Sequence, residues 1–289
     1  MIIVKLMGGL GNQMFQYALG RRLSLLHNTI LKVDTSFLND KSHNHTLRKY
    51  ELDVFSMSVS IATKTDLNKF SVASNDRLRR ILPFLSSYRI INEPCFEFNE
   101  DILKSPKHSL LIGYWQTEKY FLPIQDTIRE DFKFRKPLEG KNADIASGII
   151  KQNAVSMHIR RGDYVHHEET SKVHGACPTE YYTAALRYIQ GKVKDVHLYI
   201  FSDDMAWVKD NMVFDAPATY VEHNCGKISY ADMQLMSLCR HNIIANSSFS
   251  WWGAWLNPNP GKLVIAPAKW FNDGPANTKD LIPEGWQKI

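Results

Sequence analysis

No apolar run in this sequence is long enough to cross a bilayer, so the chain does not read as a membrane-spanning protein. Residues 1–7 (Met-Ile-Ile-Val-Lys-Leu-Met) are too short for a signal peptide, and glycines follow at once. The four cysteines, Cys95, Cys177, Cys225 and Cys239, have no Cys-x-x-Cys spacing. They read as reduced thiols of a cytosolic protein, not as a zinc site. There is no internal repeat and no low-complexity tract. The excess of positive charge is only +5. That suits an anionic ligand or a membrane surface and is too small to argue for nucleic acid. What remains is a chain of 289 residues, 44% apolar and 22% charged, enough for two modest domains or one large one.

Residues 2–7 read as a strand, Gly8-Gly-Leu-Gly-Asn-Gln13 as a glycine-rich turn, and the following stretch as a helix. Phe15, Leu19, Leu23 and Leu26 share one face of that helix, Asn28 can end it, and residues 29–34 form the next strand. This β-α-β opening resembles a dinucleotide site, with Asp34 near the ribose-binding position. The third glycine of that fingerprint is replaced by Met14, which would crowd helix against strand, so a nicotinamide site is disfavoured. Gly9 and Gly11 still let the backbone approach a ligand, and Asn12 and Gln13 offer amides at a helix start.

Between residues 34 and 130 the pattern is weak. His43 and His45 lack a third ligand and fit a solvated loop better than a metal site. Residues 76–85 (Asp-Arg-Leu-Arg-Arg-Ile-Leu-Pro-Phe-Leu) fit a membrane surface and, more commonly, a helix on its own domain, shortened by Pro83. Residues 109–115 read as a strand and 118–132 as a helix. Pro137-Leu-Glu-Gly-Lys-Asn142 reads as the linker.

Beyond it the alternation is clean. Strands are predicted at 154–159, 196–201, 219–222, 242–245 and 263–266, and helices at 179–190, 205–211, 229–240 and 249–256. That order argues for an α/β fold with a parallel sheet. Polar clusters follow the strand ends, where such sheets bind ligands. His158 and Arg160 lead into Arg161-Gly-Asp163, and arginine's planar fork fits phosphate oxygens. The alternative is a turn with a surface ion pair, worth little. Phe201-Ser-Asp-Asp204 offers either a helix cap at Ser202 or Asp203 or a ligand contact; Asp203 and Asp204 could hold a metal only with a third ligand that the sequence does not name. Asn246-Ser-Ser-Phe-Ser250 opens a helix with hydroxyls, an anion site in the making. Trp251, Trp252 and Trp255 read as core rather than as a sugar platform.

Three stretches together, Gly8-Gly-Leu-Gly-Asn-Gln-Met-Phe-Gln-Tyr-Ala18, His158-Ile-Arg-Arg-Gly-Asp-Tyr164 and Asn246-Ser-Ser-Phe-Ser-Trp-Trp-Gly-Ala-Trp255, resemble the bacterial α-1,2-fucosyltransferases of glycosyltransferase family 11 type. The resemblance implies a GT-B fold: two Rossmann-like domains, 1–140 on the acceptor side and 141–289 on the donor side, with the active site in the cleft between them and the last residues packing back on the first domain. It implies inverting transfer of fucose from GDP-β-L-fucose to the 2-hydroxyl of a terminal galactose. GDP-fucose is then a substrate, and no cofactor or metal is required. The expected partners are that donor and a galactose-terminated glycan, free or lipid-linked, for a cytoplasmic enzyme, soluble or peripheral at the inner membrane. By motif, His158 lies near the nucleotide, Arg160 on the β-phosphate and Asp232 on guanine. Gly9, Gly11, Asn12, Gln13, Asp203, Ser247, Ser248, Phe249 and Ser250 complete the expected donor set. The acceptor proton is left between Asp163 and Glu168, with His174 a third choice near neutral pH. Rival readings are another GDP-fucose-dependent transfer (α-1,6 or protein O-linked) and a non-enzymatic sugar-binding module.

Overall fold

The computed structural model describes residues 1–39, 48–74, 87–166, 168–275 and 277–289, without the side chains of residues 39, 163, 166, 169 and 170. His43, His45 and residues 76–85 therefore lie outside the described residues. The chain divides into two compact units, Met1–Arg135 with Asn277–Leu281, and Lys136–Ala276 with Ile282–Ile289.

In the first unit, β1 (Ile2–Lys5), β2 (Leu31–Asp34), β3 (Ser60–Ile61), β4 (Tyr88–Asn92) and β5 (His108–Ile112) form a parallel sheet of order β3-β2-β1-β5-β4. β1 is central, and Ile2, Ile3 and Val4 are sealed from solvent, as an uninterrupted apolar strand requires. Between β1 and β2 runs α1 (Leu10–Leu26). Phe15, Leu19 and Leu23 are buried on it, but Leu26, expected on the same face, is exposed. Asn28 follows with φ 45°, the left-handed conformation expected of it. α2 (Lys64–Ala73) was not legible from apolar spacing. A reciprocal capping box between Thr63 and Asp66 starts it, and Lys32 pairs with Asp66 at 2.7 Å.

The helix expected over 118–132 is broken. Two 3-10 turns, Glu118–Tyr120 and Leu122–Ile124, precede a short α3 (Gln125–Asp131). Pro123 lacks the N–H that a continuous helix would use.

In the second unit, α4 (Lys141–Lys151) begins inside the stretch expected to be linker. It leads to β6 (Asn153–Ile159). After β6 come two short helices, α5 (Gly162–His166) and α6 (Glu168–Val173). Then come α7 (Thr179–Gln190), β7 (Val196–Ser202), α8 (Met205–Asn211), β8 (Ala218–Val221) and α9 (Tyr230–Leu238). The unit closes with β9 (His241–Ile243), α10 (Ser248–Leu256), β10 (Val264–Ala266) and β11 (Gln287–Lys288).

The sheet order is β11-β10-β9-β6-β7-β8, all parallel. The chain steps outward from β6 to β8, then returns to the other side of β6 for β9. The direction of winding therefore reverses between β6 and β9, the place at which sheets of this kind bind ligands, outside the carboxyl ends of the strands. Trp251 and Trp252 are fully buried beneath this edge and meet edge-on at 5.0 Å, so the tryptophans are core.

Candidate active site at the reversal of the second sheet

Strand register sets the site. Ile159 of β6 lies opposite Ser202 of β7, so the residues that follow each strand leave the sheet side by side. Arg160 Nη1 meets Asp203 Oδ2 at 2.8 Å, and Arg161 Nε meets Asp204 Oδ2 at 3.2 Å. The Arg161 backbone N–H donates to Asp203 Oδ1 at 2.9 Å, so Asp203 grips the turn by both oxygens. A Cβ at Gly162 would fall 2.3 Å from that carboxylate, which explains glycine there. The Arg161 guanidinium lies 3.4 Å from the Trp207 ring centroid, and Arg160 lies 5.4 Å from that of Tyr164. All four charged side chains are partly buried. The helix cap on α8 is Asp204, whose carboxylate accepts from the Trp207 N–H at 3.3 Å, rather than Ser202 or Asp203.

His158, last but one in β6, is 6% exposed, and its Nδ1 has no hydrogen-bond partner. Burial first, and the charge of Arg160 second, hold its pKa well below the ordinary value, against the pull of Asp203. It is therefore a neutral imidazole at physiological pH, 5.8 Å from the Phe249 ring.

Across the reversal, β9 runs into Asn246 and the start of α10. Asn246 heads the stretch that reads as an anion site. Its amide nitrogen faces the carbonyls of His174, Gly175 and Trp270, and its own carbonyl accepts from Tyr164 Oη at 3.1 Å. It is a clamp between segments. Ser250, expected to line the ligand, is buried, and its hydroxyl donates to Ser247 O. Ser248 and Phe249 are partly exposed at the first turn. Ser247 is the N-cap residue, extended, and its side chain makes no capping bond. The N–H groups that every helix start leaves unmatched are thus not met by the cap residue, a favourable setting for an anion.

Asp232, in the first turn of α9, is half-buried and accepts from Asn224 Nδ2 at 2.7 Å. Burial raises its pKa to about 7, and the Asn224 bond pulls the other way. Asn224 and His223 follow β8 at the same carboxyl edge. They are a polar pair directly after a strand end, the same signal in the sequence that marks the other clusters, and one that the motifs do not include.

Two of the candidate bases have partners of their own. Glu168 is exposed on α6 and pairs with Lys172, one turn on, at 2.7 Å. The His174 ring stacks on Tyr164 at 4.8 Å and 8°. The side chain of Asp163 lies outside the described residues.

In the first unit the expected donor residues behave differently. Gln13 is fully buried, and its amide is committed: Nε2 donates to Gly8 O and Lys49 O, and Oε1 accepts from the Glu51 N–H. Its side-chain amide is thus spent on the chain itself. Gly9 is the N-cap of α1, and Gly11 is buried in its first turn. Asn12 is partly exposed and takes an N–H from Gln116 at 2.7 Å.

No helix among the described residues is long and apolar enough to cross a membrane. The sequence pattern of glycosyl transferase family 11 matches residues 1–289. An α-1,2-colitosyltransferase of Escherichia coli is 37% identical, over 100% of this chain and 98% of that protein. The O-antigen biosynthesis glycosyltransferase WbnK, also of Escherichia coli, is 35% identical over 97% and 98%. Among solved structures, the NodZ α-1,6-fucosyltransferase co-crystallised with GDP superimposes with a TM-score of 0.51 at 13% identity, covering 89% of this chain and 92% of that one. The architecture is the GT-B fold of two Rossmann-like units, and the chain belongs to glycosyl transferase family 11.

Proposed function

We propose that this glycosyltransferase moves L-fucose from GDP-β-L-fucose to the 2-hydroxyl of a terminal galactose, with inversion at the sugar. The observation that carries the reading is the pairing, across one strand reversal, of a half-buried arginine with an uncapped helix start. Both are complementary to the diphosphate that leaves. The bond from the fucose anomeric carbon to the β-phosphate oxygen breaks through an oxocarbenium-like state. Negative charge grows on that oxygen, and Arg160 together with the first turn of α10 neutralises it. The acceptor 2-oxygen bonds to the opposite face of the anomeric carbon, and its proton passes to a base, which we assign to Asp163. His158, neutral and buried beside Arg160, packs the nucleotide without adding charge. Asp232 accepts from guanine N1–H and the 2-amino group, and Ser247, Ser248 and Phe249 line the phosphates. In the first unit, Gly9, Gly11 and Asn12 remain the proposed donor contacts. The glycan acceptor belongs to surface polysaccharide assembly, a reading supported by the O-antigen biosynthesis in which the relative WbnK is named.

The 37% identical colitosyltransferase supports a second reading of the donor. Colitose is L-fucose without its 3-hydroxyl, so the same site could take either sugar on GDP. Incubation with GDP-fucose and GDP-colitose, separately, against a panel of β-galactosides separates the two. An α-1,2-fucosylated product by linkage analysis is expected; transfer of colitose alone, or linkage to another hydroxyl, would replace the reading.

A further inference from the structure

Around Asp232, four polar side chains form one hydrogen-bond chain that ties three elements together. Asn224, after β8, donates from Nδ2 to Asp232 Oδ1 at 2.7 Å and to Asn142 Oδ1 at 2.9 Å. Asn142, in the first turn of α4, returns a bond from Nδ2 to Asn224 Oδ1 at 2.8 Å. His223 Nε2 lies 2.9 Å from the same Asn142 Oδ1. The orientations follow from one another. In its ionised form the Asp232 carboxylate only accepts, so Asn224 turns its nitrogen toward it. Its oxygen then faces Asn142 Nδ2, which fixes that amide. Asn142 Oδ1 in turn requires the proton of His223 on Nε2. The remaining nitrogen, His223 Nδ1, is buried without a partner. Neutral histidine leaves only a lone pair there; a charged one would bury an unmatched N–H.

We infer that Asn224 is a positioning residue for guanine recognition, backed by Asn142 and His223, which holds one oxygen of Asp232 and aims the other at the base. This rests on the reading of Asp232 as the guanine acceptor. Asn224 is itself buried, at 7% exposure, and both hydrogens of its amide are engaged. Asp232 Oδ1 is thereby fixed, and the residue as a whole is partly buried.

The arrangement has a pH signature. Guanine's two donors need an ionised carboxylate, so nucleotide binding must ionise Asp232. Its pKa of about 7 before binding makes GDP affinity fall as pH drops through that value. The Asn224 bond favours the ionised form, so losing it moves the midpoint upward. Other charged groups on the neighbouring elements are Lys141, Asp144 and Lys151 on α4, and Glu222, His223 and Lys227 after β8; α10 carries none. Burial and Asn224 are what move Asp232. Burial and then Lys141 keep the pKa of His223 low, against Glu222.

The test is calorimetric titration of GDP and ADP from pH 5.5 to 8.5 with the full-length wild type, Asn224→Ala and Asn142→Ala. The wild type should prefer GDP and lose about tenfold in affinity per pH unit below its midpoint. Asn224→Ala should raise the midpoint by about one unit or more, lowering GDP affinity at pH 7 roughly tenfold and restoring it at high pH. Asn142→Ala should shift the midpoint the same way by less, and serves alone if Asn224→Ala does not fold. A wild type without preference for GDP overturns the guanine reading and the inference with it. A wild type that prefers GDP with variants whose midpoint stays put, whatever happens to thermal stability, overturns the inference only: the amide chain is then a brace between elements.

Discussion

In the first unit, the polar residues that follow the central strand bond to the chain itself; in the second, their counterparts gather half-exposed around two arginines. Both sheets reverse winding at a central strand, between β1 and β5 in one and between β6 and β9 in the other. At the first reversal, Gln116 donates across to Asn12, Gln13 ties down the backbone at 49–51, and Gln16 makes two bonds to Met7. Glu93 accepts the N–H groups of Tyr114 and Trp115, the latter bent into a left-handed φ of 58°. At the second reversal, Arg160 and Arg161 are each ion-paired at the end of β6, and α10, which follows the neighbouring β9, starts without a side-chain cap. A polar motif after a strand therefore has two readings: lacing where its amides find backbone partners, and, in the function proposed above, a ligand site where charges meet a helix start without a side-chain cap.

The sharpest way to break that contrast is Arg160. Arg160→Ala should lower kcat at least a hundredfold to a thousandfold, the range for removing one donor from a charge-stabilising site, with thermal unfolding little changed. Arg160→Lys should fail nearly as badly, because one ammonium does not reproduce the fork. A lysine variant turning over near the wild-type rate would show that the second reversal needs only a positive charge.

Gln13 tests the other side. Gln13→Leu leaves Gly8 O, Lys49 O and the Glu51 N–H without their partner, and should cost about 3 kcal/mol of stability or more. Its mark is a lower melting temperature with GDP affinity of the folded fraction unchanged. Lost GDP affinity at full stability would make the first motif a ligand site after all.

How much of this was legible follows the same division. Helices 179–190 and 205–211 were read to both ends, because apolar spacing and flanking punctuation agree in that half. The helix over 118–132 was misread because its apolar spacing outvoted Pro123, and α4 was hidden by the Pro and Gly that precede it. The arginine cluster could be read because His158, Arg160 and Arg161 are adjacent in sequence. The lacing role of Gln13 could not, since Lys49 and Glu51 lie more than thirty residues away. Nor could Asn142 and Asn224, which meet across 82 positions.

Asp232→Asn should weaken GDP binding by about 1.5–3 kcal/mol, roughly tenfold to a hundredfold in dissociation constant, and erode the preference over ADP. It should also flatten the pH dependence near 7, since asparagine does not titrate. Unchanged GDP affinity would leave Asp232 as a first-turn helix charge, and guanine recognition would move elsewhere in the second unit.

Glu168→Gln should change the rate less than about threefold, because an exposed pair one helical turn apart contributes little. A fall of a hundredfold would restore Glu168 as the base in place of Asp163.

The smallest expected effect is that of chelation. Asp203 and Asp204 are the paired carboxylates that could recruit a divalent cation at this edge. Each is already matched to an arginine, and Asp203 also accepts a backbone N–H from the turn it braces. Asp204 caps α8 as well. A metal would have to displace those contacts and would bring a second cation against Arg160 and Arg161. If the arginine and the helix start supply the positive charge, transfer with excess EDTA should match transfer without it, and magnesium or manganese should add nothing. Loss of activity in EDTA, restored by either ion, would mean that the carboxylates trade their arginines for a metal when the donor binds. The second reversal would then be a metal site that the arginines hold ready, and Arg160→Lys would be expected to keep much of its activity.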